Sequence, residues 1–133
     1  MTVAIIGTAI LGALVFILGF NVSRLRGATA KSGGSQMPTD PTSPLLIAIR
    51  AHGNAAEYVP AFMVLFLLVG ARTPALVAVP LIVGATVARL LHAYGMLTAR
   101  TLASGDAPPR LVGALGTYVF GVGLAIAAAA SLI

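Results

Sequence analysis

Four side chains with complementary chemistry stand close together in "RAHGNAAEYVP" (residues 50–60): Arg50, Asn54, Glu57 and Tyr58. A guanidinium holds a carboxylate in a two-point fork, and a carboxamide bonds a peptide group. A carboxylate takes an ammonium, and a phenol donates or accepts. Together they would bind a small zwitterion. On a helix Asn54 lies about 40° from Arg50, Glu57 about 20° to the other side and Tyr58 about 80° away, so the four form one stripe. Glu57 is roughly 10 Å deeper along the axis than Arg50. His52 points nearly the opposite way. A second polar stripe runs through Arg89, His92, Met96 and Arg100.

The residues that follow are apolar, "LFLLVG" at 65–70. A charge at the centre of a membrane helix costs about 2.5–3.5 kcal/mol, whereas each Leu or Phe returns only about 0.3–0.6. The stripe therefore cannot face lipid and must meet protein, a ligand or a wet cavity. Arg89 also lies within an apolar stretch and needs a partner. Glu57 is the intramembrane carboxylate expected to supply it, either as a structural ion pair or as part of a binding site. His92 is a ligand contact or an interhelical hydrogen bond. Tyr94 points elsewhere and suits an interfacial anchor.

Composition requires a membrane setting. The chain is 59% hydrophobic and 8% charged, with mean hydropathy +1.03; a soluble domain carries about 25% charged residues. Four apolar stretches, about 3–22, 45–70, 75–97 and 111–133, each approach or exceed the roughly 20 residues that span a bilayer. They predict an all-α, four-helix transmembrane bundle forming a single domain over 1–133. A loop rich in Gly, Ser, Thr and Pro is expected over 23–44, a tight turn at "ARTP", and a polar loop "ARTLASGDAPP" before the fourth helix. The first stretch has no basic segment before it and is too long for a signal peptide core, so it is expected to be retained.

With no cysteine and only two histidines and three acids, the chain offers no metal-ligand spacing and no thiol of its own. The net charge of +5 is read as arginines at loop ends meeting headgroups, not as a nucleic-acid surface. Arg24, Arg26, Lys31, Arg50, Arg100 and Arg110 gather at the first and third connections, against Arg72 alone at the middle turn. This bias predicts both termini away from the cytoplasm.

"IRAHGNAAEYVPAFMVLFLL" resembles the second-helix signature of the MAPEG family, the membrane-associated proteins of eicosanoid and glutathione metabolism, with its Arg-Ala-His-x-Asn-x-x-Glu-Tyr-x-Pro pattern matched from Arg50 to Pro60. "VSRLR" at 22–26, "RLLH" at 89–92 and "APPR" at 107–110 are similar to the end of the first helix, the third helix and the start of the fourth. The shape "RAHGNAAEYVP … HAYG" looks most like the small bacterial branch. The resemblance implies a homotrimer in a bacterial inner membrane, with glutathione as cosubstrate bound between neighbours near the cytoplasmic side. It assigns Arg110 to stabilising the glutathione thiolate. Arg50, Asn54, Glu57 and Tyr58 would hold the tripeptide, with Arg24 or Arg26, Arg89 and His92 assisting. Gly53, Met96 and Leu111 differ from what several glutathione-using members carry.

The activity expected on these grounds is a membrane glutathione transferase or peroxidase acting on hydrophobic electrophiles or lipid hydroperoxides drawn from the bilayer. One alternative is a non-catalytic member that binds lipid or glutathione. Another is a small multidrug exporter; those usually place their coupling glutamate in the first helix, where this chain has no ionisable residue within the span 3–22.

Overall fold

The computed structural model describes residues 1–103 and 107–132. Four helices follow in order: α1 Thr2–Lys31, α2 Pro44–Arg72, α3 Ala75–Leu97 and α4 Pro108–Ala130. All four are long and apolar enough to cross a membrane, and no strand occurs among the described residues.

Helix boundaries follow local chemistry. Ser43 caps α2 by accepting from the Leu46 N–H at 3.5 Å, and Pro44 opens the helix, where a missing N–H does no harm. Pro108 and Pro109 open α4 in the same way. Thr73 and Pro74 are all that separate α2 from α3, which forces the two helices to run antiparallel.

One boundary differs substantially from expectation. The loop expected over 23–44 is helical as far as Lys31. The apolar run ends near Val22, but hydropathy reports only the hydrocarbon; beyond it, Arg, Leu, Ala and Lys still favour helix. The stop comes at Gly33, whose φ of 69° suits a residue without a side chain, with the Gly34 N–H bonded back to Thr29 O at 2.9 Å. The fourth helix likewise starts at Pro108, three residues before its apolar run.

α2 and α3 form the central pair. α1 packs on both, α4 packs on both, and α1 and α4 do not touch each other among the described residues. Leu11, Val59, Phe66, Ile82 and Leu124 are fully buried at the centre. The closest approach is between α3 and α4. A side chain at Gly113 would strike the His92 backbone N–H and the Ala88 carbonyl, and one at Gly95 would strike the backbone of Arg110. Small residues are what allow membrane helices to pack at this distance. Large apolar side chains such as Phe16, Phe20, Leu76, Val119 and Ile126 cover the outside, the surface expected of a bundle solvated by lipid.

Candidate functional site

At the end of the bundle where α1 finishes and α2 begins, a groove of about 910 Å3 opens, within the range of ligand pockets, about 300–1,000 Å3. α2 supplies its wall through Arg50, Gly53, Asn54 and Glu57, the i, i+3, i+4, i+7 positions of one helical face. α1 adds Arg26, α3 adds Met96 and α4 adds Arg110. The connections close over it: the Leu102 N–H bonds Pro41 O at 2.9 Å, tying the α3–α4 loop to the α1–α2 loop. Gln36 Nε2 donates to Arg26 O at 3.3 Å, fastening the first loop to the end of α1. Arg50 and Glu57 remain exposed.

Behind this wall lies Arg89, only 1% exposed. Its expected partner was Glu57; the structure corrects this. One Nη donates to Asn54 Oδ1 at 2.8 Å and to Asn54 O at 3.3 Å, and the other to Thr117 Oγ1 at 3.3 Å. The guanidinium carbon stands 5.2 Å from the centre of the Tyr58 ring, a cation–π distance. The reason is the side of α2: Asn54 and Tyr58, about 40° and 80° round the helix from Arg50, turn toward Arg89, whereas Glu57, about 20° to the other side, is exposed. Thr117 in turn donates to Gly113 O at 2.7 Å. Arg89 thus clips α2, α3 and α4 together and holds the Asn54 carboxamide by its oxygen.

Tyr58 does not line the groove. It faces α4, where its ring meets Tyr118 edge-on with centroids 6.1 Å apart and the two hydroxyls 3.4 Å apart. His92 is also behind the groove, 7% exposed, with Nδ1 2.9 Å from the Arg110 carbonyl oxygen. It holds the first turn of α4, the turn that presents the Arg110 side chain. Arg24 faces away from the groove altogether: it bonds Asn21 Oδ1 at 3.0 Å and lines a different recess. Arg100 lies past the end of α3 and joins Arg24 there instead of extending the Arg89 stripe.

Of the nine residues singled out in sequence, the groove gathers Arg26, Arg50, Asn54, Glu57 and Arg110. Arg89 and His92 support it from behind, through Asn54 and through the Arg110 backbone. Thr117 went unnoticed, although it stands seven residues after Arg110 and so shares its helical face. Outside the membrane, Asp40 accepts from the Thr42 N–H and hydroxyl, both at 2.8 Å, and these bonds hold its carboxyl below the usual carboxylate value.

Among the described residues, the groove combines three guanidiniums and one carboxylate with the carboxamide of Asn54 that Arg89 orients, and Met96 adds an apolar wall. Guanidiniums would take carboxylates, and Glu57 would take an ammonium. Polar chemistry of this kind inside an apolar four-helix bundle defines a multi-pass integral membrane protein with a polar groove at one end. The MAPEG family model matches residues 4–130, nearly the whole chain, and the protein belongs to the MAPEG family. Comparison with curated proteins gives no match, and comparison with solved structures gives none.

Proposed function

We propose that this protein is a glutathione-dependent transferase or peroxidase, working as a homotrimer on hydrophobic electrophiles or lipid hydroperoxides that partition from the bilayer. The observation that carries the proposal is the joint presence of Arg26, Arg50, Arg110, Glu57 and Asn54 around one groove. Glutathione has two carboxylates, one ammonium, two amides and a thiol. Arg26 and Arg50 suit the carboxylates, Glu57 suits the ammonium and Asn54 suits a peptide group. Arg110 would face the sulfur. Membership of the MAPEG family, which includes glutathione transferases and peroxidases, supports this assignment.

The thiol needs such a cation because a free cysteine has pKa about 8.5 and the thiolate is the nucleophile. One positive charge at 4 Å in an effective dielectric near 20 interacts by about 4 kcal/mol before solvent and competing groups reduce it. In the transferase reaction the thiolate sulfur forms a bond to the electrophilic carbon and the leaving group departs with its electron pair. In the peroxidase reaction it attacks the O–O bond, giving an alcohol and a glutathione sulfenic acid; a second glutathione converts the latter to the disulfide and water. The open side of the groove, where Arg50 and Glu57 are exposed, suits completion by a neighbouring subunit. By the distribution of basic residues the groove would face the cytoplasm, with both termini on the other side.

The test is ultraviolet difference absorbance of bound thiolate, with turnover of a generic electrophile. Arg110→Ala should remove the thiolate signal and reduce turnover about tenfold to a hundredfold at pH 7, while glutathione still binds through α2. Full thiolate and full turnover in the mutant would make Arg110 a headgroup anchor. Met96 in the groove wall favours a second reading, because a thioether donates no hydrogen bond to a thiolate. On that reading wild-type protein binds glutathione with no thiolate signal near pH 7.

A further inference from the structure

The basic residues at this end of the bundle do not all face the groove. Arg24 lies two residues before Arg26 on α1, about 200° around the helix, and lines a separate recess of about 430 Å3. Arg100 enters the same recess from beyond α3, together with Asn21 and Thr42 over an apolar floor that includes Leu25 and Ile47. Among the described residues, none that lines the recess is acidic. Arg24 spends one donor on Asn21 Oδ1 at 3.0 Å. That bond steadies the guanidinium and leaves its remaining N–H groups for another acceptor. Asp40, two residues before Thr42, is not in the lining, and its carboxylate is folded onto the N–H and hydroxyl of Thr42.

The level of the recess points to its ligand. Arg24 stands just past the apolar run of α1, and Arg100 just past the end of α3. When the four helices span a bilayer, both guanidiniums lie at the headgroup layer. There, basic pockets between helices meet anionic lipid. A floor of Leu25 and Ile47 would be wasted on a free inorganic ion, but it fits the glycerol and upper acyl chain of a lipid. We propose that this recess binds an anionic phospholipid, with Arg24 and Arg100 on the oxygens of its phosphodiester.

The experiment is native mass spectrometry of the full chain released from mild detergent, titrated with phosphatidylglycerol or with phosphatidylcholine. Wild type should retain phosphatidylglycerol in preference to phosphatidylcholine. The double variant Arg24→Gln/Arg100→Gln should lose about tenfold to thirtyfold in apparent affinity. Lys31→Ala, which removes an exposed cation from the same end of the bundle, should leave retention unchanged. Circular dichroism confirms that the variants keep their helices. Equal retention of the two lipids, equal loss in Lys31→Ala, or full retention in the double variant would overturn the proposal. Displacement of phosphatidylglycerol by equimolar inorganic phosphate would overturn the lipid assignment in favour of a phosphate-ion site.

Discussion

Arg89 offers the sharpest test of how this bundle is held together, because two substitutions on one hydrogen bond should have unequal effects. The cation lies about one turn from the midpoint of α3 and bonds neutral groups: the Asn54 carboxamide at 2.8 Å, the Asn54 carbonyl and the Thr117 hydroxyl. Its Nε has no partner. Asn54→Leu removes the shortest of these bonds and leaves the charge in place. A hydrogen bond to a charged group is worth about 1.5–3 kcal/mol, so stability should fall by about 2–3 kcal/mol. Arg89→Met removes the charge itself. The lost bonds are then offset by relief of the roughly 2.5–3.5 kcal/mol that a charge costs at the centre of a membrane helix. Replacing buried ionic groups by apolar ones of similar size is often neutral or stabilising, so the net change should stay within about 1 kcal/mol. With Arg89 gone, Asn54→Leu costs little more, and the double variant should be about 2 kcal/mol more stable than the sum of the single losses, a coupling of the size contacting residues show.

The chain has no tryptophan, so equilibrium unfolding in mixed micelles is best followed by far-ultraviolet circular dichroism. Glutathione affinity, measured by calorimetry, separates structure from function. Arg89→Met should fold well and yet bind glutathione more weakly, since nothing then fixes the Asn54 carboxamide. Equal stability of Asn54→Leu and wild type, or a double variant that merely adds the two single losses, would refute the assignment of Asn54 as the partner of Arg89.

Three further outcomes follow from the packing. Gly95→Ala puts a methyl group into the Arg110 backbone; overpacking of this kind costs about 1–3 kcal/mol, and bound-thiolate absorbance should fall along with the melting temperature. Gly53→Ala meets nothing within 4 Å, so relief of a glycine inside α2 should add about 0.5–1 kcal/mol to stability in chemical unfolding. Glu57→Gln should weaken glutathione binding measured by calorimetry but change subunit stability by no more than about 0.5 kcal/mol, as at other exposed positions, because Glu57 is exposed and is not the hydrogen-bonding partner of Arg89.

How much of this was legible in the sequence depended on which physical property decided each feature. The spanning helices are set by hydropathy summed over about twenty residues, and α2's stripe by the fixed helical period. Both survive without knowledge of neighbours. The end of α1 is set beyond the hydrocarbon by helix propensity and by Gly33, where hydropathy carries no signal. The partner of Arg89 was assigned by charge complementarity, but the choice between Asn54 and Glu57 rests on which side of the α2 stripe meets α3, which periodicity within one helix does not contain. Arg24 and Arg26 could not be separated because α1 is apolar on every side within its span, so nothing in its pattern marks the face that meets α2. Thr117 was hidden among the small residues of "GALGTYVFGVG", although its place on the Arg110 face was available.

Charge balance connects the groove with the chemistry proposed for it. Arg26 and Arg50 stand in the groove beside Glu57, two guanidiniums with one carboxylate. The proposed ligand brings two carboxylates and one ammonium, the same groups with the signs reversed. An Arg110 guanidinium within reach of the sulfur would favour the thiolate, and a groove inside an apolar bundle screens that attraction less than water does. Arg89 adds to the same potential from behind Asn54, where neutral partners leave its charge in force. Glu57 then acts as more than a clamp for the ammonium. Without it the groove would suit anions in general better than this zwitterion. One carboxylate at that depth narrows the ligands to those that bring an ammonium of their own.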